Sequence, residues 1–110
     1  MSSNNRMINE SLKNSWSRFS LMEQLGNIAS EVGRAANWQG KDEKRFDIAV
    51  DKALELIGLT QRDPRWKGRL RELAIAKEVF GDAVTGGQEY KSTLPDIEKY
   101  FMQFAVLARK

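Results

Sequence analysis

Histidine and cysteine are both missing from the 110 residues. Without a thiol there is no cysteine nucleophile, and without an imidazole no side chain shuttles protons near neutral pH. Without either, no zinc site of the Cys/His type can form. Disulfides are excluded as well, so the fold rests on packing alone, which suits a reducing compartment. No apolar run approaches the ~18 residues of a membrane-spanning helix. The segment Met1-Ser2-Ser3-Asn4-Asn5-Arg6 lacks the apolar stretch of a secretory signal, so the cytoplasm is the expected location. Proline occurs only twice, at Pro64 and Pro95, and both positions read as starts of helices.

What is present suits a single globular domain. Hydrophobic residues make up 41% and charged residues 30%, far from the composition of disordered chains. The net charge of +3 is weakly basic, which permits an acidic partner without requiring one. Residues 1–14, rich in serine and asparagine, read as a flexible N-terminal arm, with Ile8, Leu12 and Trp16 spaced to begin a helix on docking. Residues 15–110 are expected to form one domain.

Four amphipathic segments follow. Ser20 and Glu23 have capping-box spacing, and Leu21, Leu25, Ile28, Val32 and Ala35 then recur along one helical face until Gly40. A second helix is predicted from Asp42 to about Gln61, with Phe46, Val50, Ala53 and Ile57 inward. Asp63 and Pro64 mark the start of a third, carrying Trp66, Leu70, Leu73, Ala76, Phe80 and Val84 until Gly86-Gly87. Thr93-Leu94-Pro95-Asp96 opens the last, with Ile97, Tyr100, Phe101, Phe104, Leu107 and Ala108 on its inner side. No segment alternates with the period of a strand. The expected fold is all-α, an antiparallel four-helix bundle, because short connections favour antiparallel neighbours.

Candidate sites are few. Asn27, Glu31, Arg34 and Trp38 step along a face beside the apolar stripe of the first helix. They are read as a recognition surface for a polar ligand or as a structural ion pair. Gly26, Ser30 and Gly33 on the same helix predict close approach of another backbone, within the bundle or across a subunit interface, since interior glycine costs ~1 kcal/mol relative to alanine. Arg62, Arg65, Lys67, Arg69 and Arg71 form a basic turn at a helix start. With Trp66 interleaved they suggest phosphate contacts and a stacked base, although the spacing of Trp66 to Leu70 and Leu73 also places it in the core. Charge reversal of Arg65 and Arg69 is expected to abolish partner binding and leave the fold intact. Asp47 and Asp51 stand one turn apart, but the di-iron pattern needs histidine, and no metal or cofactor site is expected. Ser15, Ser17, Ser20, Ser30 and Ser92 have no histidine to activate them, and Gly86-Gly87 lacks the lysine of a phosphate loop. The aromatic residues exceed what one small core holds, so a symmetric homo-oligomer is expected.

The run Leu25-Gly26-Asn27-Ile28-Ala29-Ser30-Glu31-Val32, with Arg34-Ala35 and Trp38, resembles a family of small uncharacterised prokaryotic proteins. Ala53-Leu54-Glu55-Leu56, Asp63-Pro64, Arg69-Leu70-Arg71-Glu72-Leu73 and Tyr90-Lys91-Ser92-Thr93 extend the likeness, and Tyr100-Phe101, Phe104 and Ala108-Arg109 complete it. The resemblance implies a stand-alone cytosolic all-helical protein and brings no activity with it. Gly26 and Ala29 depart from the pattern, where the family more often has alanine and glycine, which shifts the close-contact point. The architecture is also similar to bacterial four-helix bundles that form rings and bind RNA or a reverse transcriptase, a likeness of fold that does not carry function.

The sequence thus points to a non-enzymatic, self-associating helical module acting through a protein or nucleic-acid partner. Two alternatives stand beside it. One is a small-molecule binder or weak enzyme using Asn27, Glu31 and Arg34 under Trp38. The other is the partner, antitoxin-like half of a two-gene system.

Overall fold

The structure, a computed structural model, describes residues 16–108, without the side chain of Ala108. The arm expected at residues 1–14 lies outside them. Among the described residues every regular element is helical: α1 (Leu21–Trp38), α2 (Glu43–Gln61), a 3-10 segment (Pro64–Arg69), α3 (Leu70–Val84) and α4 (Leu94–Ala108). None of these helices is long and apolar enough to cross a membrane.

Each start has a local chemical cause. Before α1, Ser20 Oγ accepts from the Glu23 amide at 3.1 Å and the Glu23 carboxylate accepts from the Ser20 amide at 3.0 Å. This reciprocal pair satisfies two amides that a helix terminus otherwise leaves open. Asp42 accepts from the Arg45 amide at 3.0 Å to open α2. Thr93 and Asp96 repeat the reciprocal arrangement at α4, at 3.3 and 3.1 Å. The stops are equally local. Gly40 leaves α1 at φ 77°, and Gly86 and Gly87 leave α3 at φ 115° and 68°. At Gly87 a Cβ would also stand 2.6 Å from the Ser92 carbonyl oxygen, so both conformation and space require glycine.

The core is assembled from the expected stripes. Leu25, Ile28, Val32 and Ala35 of α1 are fully buried against Ala53 and Ile57 of α2 and Phe101 of α4, with Leu73 and Phe80 closing from α3. Burying each large apolar side chain contributes roughly 1.5–3 kcal/mol. The contacts of α1 with α4 and α2 are the most extensive, and those of α3 with either neighbour are slighter.

Three expectations need correction. The third helix is not continuous: it opens as a 3-10 segment and becomes α-helical only at Leu70. A 3-10 step turns about 120° per residue rather than about 100°. Trp66 and Leu73 therefore both point inward, whereas Leu70 is left 42% exposed. In α4 the buried face is Leu94, Ile97, Phe101, Phe104 and Ala105, while Tyr100 and Leu107 are 40% and 63% exposed. They lie roughly 100–120° around the helix from Phe101, beyond the reach of the core. Lastly, within the bundle no backbone among the described residues closes on Gly26 or Gly33 of α1. Glu98 of α4 brings its carboxylate to within 2.6 Å of where a Gly33 Cβ would stand, and nothing lies within 4 Å of one at Gly26.

Candidate functional site

A buried polar network joins residues that the sequence pattern does not link. Gln24 is completely buried in α1. Its Nε2 donates to the Trp16 carbonyl at 2.9 Å and to Asp63 Oδ2 at 3.0 Å, and its Oε1 accepts from Trp66 Nε1 at 3.1 Å. The Trp16 indole in turn donates to buried Thr60 Oγ1 at 3.0 Å. The Gln24 amide and the Trp16 indole thus tie the entry to α1, the end of α2 and the 3-10 segment together. No buried side-chain nitrogen or oxygen among the described residues lacks a partner, which is the condition for such a network to stabilise. The signal was a polar amide at position i+3 from Leu21 and i−4 from Ile28, within the core stripe.

Arg65 closes this network from outside and so leaves the basic turn. Its guanidinium donates to both oxygens of Asp63, with Nη2 at 2.6 Å from Oδ2, and to the backbone carbonyls of Phe19 at 2.7 Å and Ser17 at 3.3 Å. The hydrogen bonds from Arg65 hold the Asp63 carboxyl down at about 2, against the opposing effect of its burial. Trp66, completely buried, offers no face for a stacked base; Arg69 lies over its ring at 6.0 Å. Arg62 borders a hollow with Trp16, Leu59 and Pro64. Lys67 and Arg71 are exposed, with no ion-pair partner among the described residues.

The polar stripe of α1 is occupied locally. The exposed Asn27 amide donates to the Glu23 carbonyl at 2.8 Å, and Arg34 binds Glu31 at 2.5 Å one turn away. Trp38 is half-buried beneath the Arg45 guanidinium of α2, 4.7 Å from the ring centre. Asp47 and Asp51 are exposed, and no three acidic residues among those described gather as ligands for a metal ion.

A second feature is open. Between α3 and α4 runs a groove floored by Ile75, Ala76 and Val79 from one side and Ile97 and Tyr100 from the other, with Ser92 and Asp96 at one end. Its hollow measures about 180 Å³. Ile75 is 48% and Tyr100 40% exposed, so apolar surface here faces solvent. The margin is acidic. Asp96 lies in the lining, and partial burial and the nearby Glu72 charge raise the Tyr100 phenol above its ordinary pKa. Ile75 and Val79, spaced i and i+4 beside the inward Leu73–Ala76–Phe80 face, are the sequence trace of this groove; the pattern shows them only as surplus apolar residues.

No family model matches the chain, nor does any curated protein or any solved structure, so the case for a site rests on this geometry.

Proposed function

We propose that this protein is a non-enzymatic helical interaction module that engages its partner through the α3–α4 groove. The observation that carries this reading is the groove itself, an apolar floor left facing solvent with Asp96 in its lining and the Glu72 charge beside Tyr100. Contiguous exposed apolar surface with a polar rim is the signature of a docking surface. The lowered pKa values of Glu23, Asp63 and Asp96 each arise from capping or bracing the backbone, which gives these three carboxylates structural work. An antiparallel course for α3 and α4 is part of the proposal. Trp66 meets Phe104, whereas the later Ile75 and Val79 lie beside the earlier Ile97 and Tyr100, which reverses chain order. A cytoplasmic location is proposed with it, in keeping with the lack of cysteine.

Because the chain has no cysteine, Ser92→Cys creates a unique attachment point at the groove for an environment-sensitive dye. Titration with a synthetic amphipathic helix of lysine and leucine should shift the emission to the blue and saturate. A glutamate–leucine helix with the same apolar pattern should bind at least about tenfold more weakly, the equivalent of ~1.4 kcal/mol. Equal binding of the two, or none by either, would overturn the reading.

A further inference from the structure

The chain is electrically divided at the start of α3. Residues 62–71 carry five cations and one carboxylate, whereas residues 72–98 carry six carboxylates and two lysines. That division places opposite charges around two apolar features of complementary form. On the basic side Leu70 stands 42% exposed, with Lys67, Arg69 and Arg71 exposed near it in the chain. On the acidic side is the groove, whose hollow of about 180 Å³ suits a single branched or aromatic side chain, since a cavity of ~150 Å³ holds benzene.

We infer that the α3–α4 groove is filled by a second copy of this chain, whose Leu70 seats between Ile75, Val79 and Tyr100 while its Arg69 and Arg71 face Glu72. The inference rests on the reading of the groove as a docking surface and names its occupant. Glu72 is the principal counter-charge, because Asp96 already caps α4 and lies in the field of Lys99.

The arrangement also determines the symmetry. Leu70 and Ile75 are five residues apart on one helix, so they are separated by ~7.5 Å along its axis and about 140° around it. A copy that covers the groove does not face the Leu70 side, and the two contacts cannot be made reciprocally within one pair. The interface is therefore heterologous, head to tail, and builds a closed ring or an open filament.

Sedimentation velocity on the full chain at low salt, over a concentration series, tests this. The wild-type protein should associate, and salt should weaken the association by screening the charges. Leu70→Glu and Ile75→Glu alter opposite sides of the contact at exposed positions. Each should lower self-association by at least about a hundredfold, because a carboxylate would have to enter an apolar hollow. Mixed one to one, Leu70→Glu still offers a groove and Ile75→Glu still offers Leu70, so the mixture should form a dimer that grows no further. Arg71→Glu serves as a second variant of the basic side and should behave as Leu70→Glu does.

A wild-type chain that stays monomeric throughout would overturn the second-copy inference. Association unchanged by the variants would do the same, as would a mixture that remains monomeric. The labelled Ser92→Cys protein separates this from the parent reading: if the lysine–leucine helix still binds, the groove docks a basic partner other than a second copy, and if it does not, both readings fall.

Discussion

Two regions that meet at the start of α3 use the same kinds of side chain to opposite ends. Around Gln24, two tryptophans, a threonine, an aspartate and an arginine are joined by hydrogen bonds. Around Ile75 and Tyr100, apolar and aromatic side chains remain at the surface and the acidic groups surround rather than bind one another. The first region has its polar atoms satisfied inside the molecule and so stabilises the fold. The second leaves its apolar surface incompletely covered and so is available to something else. Slight contact between α3 and its neighbours is the physical link, because a helix packed on only part of its apolar face leaves the remaining flank free.

The largest effect is expected at the buried hub. Gln24→Leu keeps the approximate size but removes the acceptor of Trp66 Nε1, leaving a buried donor unpaired, and takes one donor from Asp63, which keeps Arg65. It should lower unfolding free energy by about 2–4 kcal/mol in urea titration. A loss under about 0.5 kcal/mol would show that the network merely accompanies the packing.

Acid weakens the same buried region. Asp63 has its pKa depressed from 3.8 to about 2 by Arg65. Its contribution is thus complete above pH ~4 and disappears as pH falls through about 2, and the linkage relation makes it of the order of 2 kcal/mol. Asp63→Asn should be less stable than wild type at pH 7, and the difference should shrink between pH 4 and pH 2 when followed by circular dichroism. A difference constant across that range would place the stabilising effect of Asp63 elsewhere than in its charge. By the same geometry, Arg65 is a brace rather than a free cation, so charge reversal there loosens the turn as well as changing the surface.

The smallest effect is expected in the groove. Ile75→Glu exchanges one exposed helix residue for another and should change the thermal or urea stability of the dilute, monomeric chain by no more than about 0.5 kcal/mol, against the hundredfold loss of association proposed for it. A larger loss would mean that Ile75 supports the core, and the contrast between the two regions would dissolve.

Much of the helical outline could be read from local rules. Ser20 with Glu23, Asp42, Asp63 with Pro64, Thr93 with Asp96 and the Gly86-Gly87 stop act within a few residues of themselves, so the chain's own order specifies them. The inward stripes of α1 and α2 were legible for the same reason, since periodicity reports which face is apolar. What tertiary structure decided is where a continuous pattern breaks and which polar group goes inside. The 3-10 turn rotated Leu70 outward, and contact with Phe104 and Gln24 drew Trp66 inward. Gln24 reads as an ordinary helix amide until Trp16, Asp63 and Trp66 converge on it from positions 8, 39 and 42 residues away. Local sequence states the period of each helix; only the meeting of helices selects partners for the side chains that the period leaves over.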